Sequence, residues 1–121
     1  MSDRYIHRYF LPQRQYDAGS PVILAAGALL EDIKTPRLVV QLKFESISPK
    51  TIVSLRLNIR CFAEEGEEAK GVGVLYKNLF VQRGQLFGQY TAIELPLGDT
   101  YSFSAKVLSV VFQDGTRWAA S

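Results

Sequence analysis

Residues 37–62 read RLVVQLKFESISPKTIVSLRLNIRCF. In the first half Leu38, Val40, Leu42 and Phe44 are apolar while Gln41, Lys43 and Glu45 intervene, the period-two alternation of a strand with one buried face. The second half repeats the alternation in the other phase. Val53, Leu55, Leu57, Ile59 and Cys61 point one way, and Ser54, Arg56, Asn58 and Arg60 the other. Ser48, Pro49 and Lys50 part the two runs with turn chemistry, and Pro49 has no N–H to give to a ladder. Two consecutive strands are therefore expected, in one sheet or in two, with Cys61 packed inward as a small apolar side chain.

Downstream, Glu64, Glu65, Gly66, Glu67 and Glu68 form an acidic loop whose charges and glycine oppose regular pairing. A strand over Val72 to Val81, weakened by Gly71 and Gly73, should follow, then a connection at residues 83–88 and a strand over Tyr90 to Leu95. Residues 96–99, PLGD, read as a turn. From Thr100 to Gln113 the apolar phase switches, Tyr101, Phe103, Ala105 and Val107 giving way to Val110 and Phe112. One extra residue at Leu108 or Ser109 reconciles them, so a β-bulge is predicted there. Asp114 and Gly115 then turn a hairpin that returns Thr116 to Ala119 against Ser109 to Phe112.

Upstream, Val22, Ala25, Ala26, Leu29, Leu30 and Ile33 match a helical stripe with Ser20 as N-cap and Pro21 at the first helical position. Gly27 would cost such a helix about 1 kcal/mol, and a sheet built from the following strands needs its edge partnered. A strand is the expectation, with a turn over Ile33 to Pro36. Residues 1–19 are polar but carry Arg4, Arg8 and Arg14 among Tyr5, Tyr9, Phe10 and Tyr16, and read as an N-terminal arm before a domain over residues 20–121. Basic residues interleaved with aromatics suit single-stranded nucleic acid; alternatively the rings dock onto the domain.

The chain has 121 residues, 47% hydrophobic, 12% aromatic and 21% charged. That balance suits one compact domain and argues against disorder or a multidomain enzyme. The net charge of +2 is too small to imply nucleic acid by itself. One cysteine excludes an internal disulfide, and one histidine leaves zinc little but carboxylates, so no metal or other cofactor is expected. The longest apolar run, Pro21 to Leu30, falls well short of the roughly 20 residues that span a bilayer. No secretory leader is visible in the first residues. The expectation is a cytoplasmic chain with no membrane partner.

Chemistry-bearing motifs are sparse. Cys61, His7 and Asp17 could be drawn as a nucleophile, base and orienting acid, but a thiol in an apolar core is inert. The glycines near residues 71–73 and 84 lack the strand-to-helix setting of a phosphate loop, and the glutamate loop does not match the spacing of a calcium loop. Recognition is the better prospect. Arg56, Asn58 and Arg60 share one face of a strand, with Lys43 joining them if the two strands pair, and forked arginine contacts suit carboxylates. Arg83 and Phe87, beside Gln85 and Leu86, form a second candidate on a loop.

About seven strands without a convincing helix point to an all-β, antiparallel immunoglobulin-like or fibronectin III-like β-sandwich. The stretches PVILAAGALLEDIKTPRLVVQLKFESISPKTI and RGQLFGQYTAIELPLGDTYSFSAKVLSVVFQDGTRW resemble an uncharacterised family of bacterial β-sandwich domains, found alone or beside other small modules. The likeness covers roughly residues 20–118. It implies that Gly84, Gly88, Gly98 and the Asp114–Gly115 pair serve turns and that Phe103, Phe112 and Trp118 fill the core. Relatives that resemble it carry a zinc-ribbon segment in some cases; this sequence lacks the cysteine pairs, and no activity or ligand comes with the likeness. The SISPKTI segment is similar to the inter-strand connection of bacterial immunoglobulin-like accessory domains. The expected function is a non-catalytic module that binds another protein or a neighbouring domain, with a homodimer through sheet edges as a further partner arrangement. Single-stranded nucleic acid through the arm, or carbohydrate on Tyr76, Tyr90 or Trp118, are the alternatives.

Overall fold

The computed structural model describes residues 4–35, 37–95 and 100–120. They are all-β, with two antiparallel sheets and no helix, an arrangement consistent with a β-sandwich. Among the described residues nine strands run in chain order: β1 (Tyr5–Phe10), β2 (Val22–Asp32), β3 (Arg37–Ser46), β4 (Ile52–Phe62), β5 (Glu68–Tyr76), β6 (Leu86–Phe87), β7 (Ile93–Glu94), β8 (Ser102–Phe112) and β9 (Arg117–Ala119). The first sheet is ordered β1-β2-β3-β6, with β7 also on β3; the second is β5-β4-β8-β9. None of these elements is a helix long and apolar enough to cross a membrane.

Alternation decides which side chains meet. Leu38, Val40, Leu42 and Phe44 of β3 are buried and face Leu55, Leu57, Ile59 and Cys61 of β4, whose exposures do not exceed 2%. Ring pairs bridge the layers: Tyr9 meets Phe103 edge-on at 5.7 Å and Phe44 meets Tyr76 at 5.7 Å. Such pairs add to the burial that dominates folding.

The segment with the helical stripe is strand β2, because its Leu24, Leu29 and Gly27 lie over β3 at Phe44, Val40 and Leu42. Gly27 has a packing reason: a Cβ there would sit 2.7 Å from Leu11 Cδ1 and 2.8 Å from Leu42 Cδ2. The bulge predicted near Leu108 is present, since Arg56 pairs with Ser109 and the next residue, Leu57, with Val107. The Asp114–Gly115 hairpin is present too. Gly115 N–H donates to Phe112 O at 2.9 Å, and Thr116 N–H to Asp114 Oδ1 at 2.9 Å.

Several boundaries differ from expectation. Val53 is displaced from the inward row by a bulge between Ile52 and Ser54, so Ile52 is fully buried in its stead. β5 begins inside the acidic stretch, at Glu68, and ends at Tyr76, after which the chain crosses to bond Leu79 N–H to Val53 O at 2.9 Å. The connection at residues 83–88 contains β6, which pairs with β3, while the strand expected over Tyr90 to Leu95 is confined to Ile93–Glu94. The turn expected at residues 96–99, and with it Gly98, lies outside the described residues.

Gly88 holds the junction of the layers. Its φ is +89°, and a Cβ would stand 3.0 Å from Leu42 O, 3.1 Å from Phe44 Cδ2 and 3.3 Å from Tyr76 Cε2. Gly88→Ala is expected to lower stability by about 1–3 kcal/mol through backbone strain and this close approach, read as a lower urea midpoint with an unchanged slope.

Candidate functional site

The residues of the first candidate lie on the outer face of the second sheet. β4 needs its apolar residues inward, so Arg56, Asn58 and Arg60 are turned outward. The register places Arg56 between Leu75 and Ser109, Asn58 between Gly73 and Lys106, and Arg60 between Gly71 and Ser104. Arg117 follows on β9, beside Val111. A Cβ at Gly73 would meet nothing within 4 Å, so the row is open there, whereas at Gly71 it would stand 3.4 Å from Asn58 Oδ1. Arg60 is paired with Glu68 of the neighbouring strand, which raises its pKa further. Among the described residues, Arg56, Lys106 and Arg117 have no carboxylate partner.

Lys43 does not join this row. The connection at residues 47–51 carries the chain from the first sheet to the second, so β3 and β4 never pair. Lys43 instead borders a shallow groove of about 230 Å³ on the outer face of the first sheet, with Phe10, Ala26, Gln41 and Gln89.

Phe87 does not lie open on its loop: it is only 7% exposed and stacks on Phe44 at 5.3 Å, a core contact that leaves no ring for a partner. Its neighbour Arg83 is exposed in a turn closed by Gln85 N–H on Gln82 O at 3.0 Å. Tyr76 is no platform either. It is 6% exposed, its hydroxyl has no hydrogen-bond partner among the described residues, and burial pushes its pKa up to about 12. Tyr90 is 92% exposed.

The N-terminal segment is bound in place. Residues Tyr5–Phe10 form β1 on the edge of the first sheet, and its arginines face carboxylates: Arg8 pairs with Glu31, Arg14 with Glu45 at 3.4 Å, and Arg4 with Asp32 at 2.8 Å. Asp32 is a site that sequence reasoning missed. Its carboxylate is fully buried and accepts from Arg4 Nε and Nη2, Arg37 Nε at 3.2 Å, Thr35 Oγ1 at 2.8 Å and Lys34 N–H at 3.0 Å. The Arg4 bond, more than the others, holds its carboxyl well below the usual carboxylate range. The local DIKT pattern signals an Asx turn, but nothing in the sequence pairs it with an arginine 28 residues away.

A cleft of about 440 Å³ opens at one end, lined by Tyr16, Pro21, Pro49, Lys50, Phe112 and Trp118. Lys50 Nζ lies 5.5 Å over the Phe112 ring, donates to Thr116 Oγ1 at 2.8 Å, and stands 3.2 Å from Asp114 Oδ2. Hydrogen bonds from Thr116 hold the Asp114 carboxyl down at about 2.

Cys61 is in the core, where burial pushes its thiol up, whereas His7 lies exposed on the outer face of the first sheet, stacked on Phe10 at 4.9 Å. The structure therefore does not bring the thiol and the imidazole together. Among the described residues no three His, Cys, Asp or Glu side chains converge as a metal site would require. Compared with family models, curated proteins and solved structures, the chain matches none.

The Asp32 cluster has a pH signature. A carboxyl held below its unfolded value of about 3.9 adds stability above that value and loses it as pH falls. Thermal melts between about pH 7 and pH 2 should therefore show wild type losing Tm progressively below about pH 4. Asp32→Asn should start lower at neutral pH and show a shallower acid decline; an unchanged acid decline would remove Asp32 as its source.

Proposed function

We propose that this protein is a non-catalytic interaction module of the immunoglobulin-like or fibronectin III-like class, which docks an acidic protein or neighbouring domain on the outer face of its second sheet. The observation that carries the reading is the row of Arg56, Asn58 and Arg60 flanked by Lys106 and Arg117 over a floor of Gly71, Gly73, Ser104 and Ser109. Among the described residues Arg56, Lys106 and Arg117 face no carboxylate, and guanidinium forks bind carboxylates with geometric specificity. Small neighbours let an extended acidic segment approach the sheet closely.

Strand order supports the fold class. With β2, β3, β4, β5, the β6/β7 segment, β8 and β9 taken as strands A, B, C, C′, E, F and G, the sheets run A-B-E and C′-C-F-G. β1 is then an added strand outside A.

A protein partner is favoured over single-stranded nucleic acid because Arg4, Arg8 and Arg14 already face Asp32, Glu31 and Glu45. Of the exposed rings, Phe10, Tyr16, Phe80 and Tyr90 belong to other segments than the basic row, while Tyr101 adjoins the start of β8. An oligoglutamate peptide should bind wild type with an affinity that falls with added salt. Arg56→Glu with Lys106→Glu should weaken it by about tenfold or more, in line with losses measured for charged contacts. Equal or tighter binding of an oligothymidine strand, lost in the same variant, would turn the reading to nucleic acid.

The end cleft favours a second reading, a carbohydrate-binding surface. Trp118 and Tyr16 share its wall with two prolines, a mostly apolar concavity with a few polar groups of the kind that holds small ligands. Under that reading Trp118→Ala should abolish retention on an immobilised neutral polysaccharide while the Arg56→Glu, Lys106→Glu variant retains it; indifference of retention to Trp118 would exclude the cleft.

A further inference from the structure

Each sheet has two edges, and three of the four are blunted. β1 breaks register at Arg8 and presents charge, β6 and β7 are two residues each, and β9 is three residues long. Short, bulged or charged edges are the usual protections against pairing with another chain. β5 is different. It runs nine residues at the end of the β5-β4-β8-β9 order, and its register with β4 is regular from Gly71 to Tyr76. That regular part, GVGVLY, holds no charge and no proline.

The packing of β5 is also unfinished. Leu57 and Ile59 on β4 are fully buried, yet their partners Val74 and Val72 on β5 face the same core and are only partly covered. On the outer face Leu75 is 50% exposed. Beside it Gly73 has empty space where a side chain would stand. No backbone hydrogen bond among the described residues engages the far side of residues 71–76.

We propose that β5 is a self-association edge, on which a second copy of this chain adds its own β5 antiparallel about a two-fold axis at Val74. The occupant is a second copy because the strand complements itself. A two-fold at Val74 sets Leu75 of each copy opposite Gly73 of the other, so the one bulky outer side chain fills the one empty outer position, twice by symmetry. On the inner face the same register pairs Val72 with Tyr76 and Val74 with its mate, extending both apolar layers across the junction. Antiparallel pairing of a strand with itself is isologous and closes as a dimer instead of propagating. It preserves the faces of the sheet, so the rows of Arg56 and Lys106 from the two copies lie on one side of a continuous eight-stranded sheet. Backbone bonds along the edge give affinity and the alternate side chains give register.

The test is sedimentation velocity on the full chain from about 1 to about 200 µM, with amide hydrogen exchange at both ends of that range. The expected result is a concentration-dependent dimer in which amides within residues 71–76 become protected as the dimer forms. Leu75→Lys, at an exposed position and checked by its melting curve to be folded, should raise the dimer Kd by about tenfold or more through like charges and loss of the Leu–Gly fit. Arg56→Glu with Lys106→Glu should dimerise as wild type does, so failure of the acidic-partner reading and failure of this one are separable. A monomer throughout the range would overturn the proposal, as would a dimer that Leu75→Lys leaves intact with residues 71–76 unprotected.

Discussion

Two rows of side chains hold this protein together: Leu38, Val40, Leu42 and Phe44 on β3, and Leu55, Leu57, Ile59 and Cys61 on β4, facing one another between the sheets. Because neighbouring residues on a strand point to opposite faces, burying those rows leaves no choice about the others. Arg56, Asn58 and Arg60 are on the surface as the obligatory complement of Leu55, Leu57 and Ile59. The basic row is thus a by-product of the core's geometry in its position, although not in its chemistry: serine or threonine would satisfy the same outward constraint.

The constraint survives along strands of up to eleven residues because bulges correct its phase. Ala25, Val53 and Leu108 each occupy a place where one strand gains a residue on its neighbour. Only the bulge at Leu108 was legible, since apolar residues change phase around it. Around Val53 both Ile52 and Val53 are apolar, and either could have pointed inward. Period two also says nothing about which strand pairs with which. The SISPK turn would serve a hairpin as well as a crossing between sheets, so the separation of Lys43 from Arg56 had no sequence signal. Leu86 and Phe87 form too short a strand to alternate at all, and the fate of Phe87 depends on Phe44, 43 residues earlier.

Charge follows the topology in the same way. Arg4 and Arg8 meet Asp32 and Glu31 at the end of β2, and Arg14 reaches Glu45 on β3, so the first sheet pairs its arginines with its own carboxylates. The Asp32 carboxylate is fully buried, a position a carboxylate holds only with its oxygens satisfied; Arg4, Arg37, Thr35 and the Lys34 amide do so together. On the second sheet Glu68 serves Arg60 alone. A net charge of +2 therefore conceals an uneven surface, in which the cations of the row that lack a carboxylate partner among the described residues belong to the second sheet.

Edge strands bring the two themes together. The bonding groups on the far side of β5 are as strongly polar as those inside the sheet, and water satisfies them only while no other strand is near. Charged residues flank the regular centre of β5, at Glu67, Glu68, Lys70 and Lys77, but that centre, GVGVLY, carries none. Glycine weakens a strand interior, since it brings no side chain to pack and more entropy to lose. Two of them at alternate outward positions would be a poor choice for a strand that had only β4 to hold. Gly71 makes room for the Asn58 side chain, 3.4 Å from where a Cβ would stand, and Gly73 is intelligible where another backbone approaches closely, because a side chain there would occupy the space into which a neighbouring Leu75 fits.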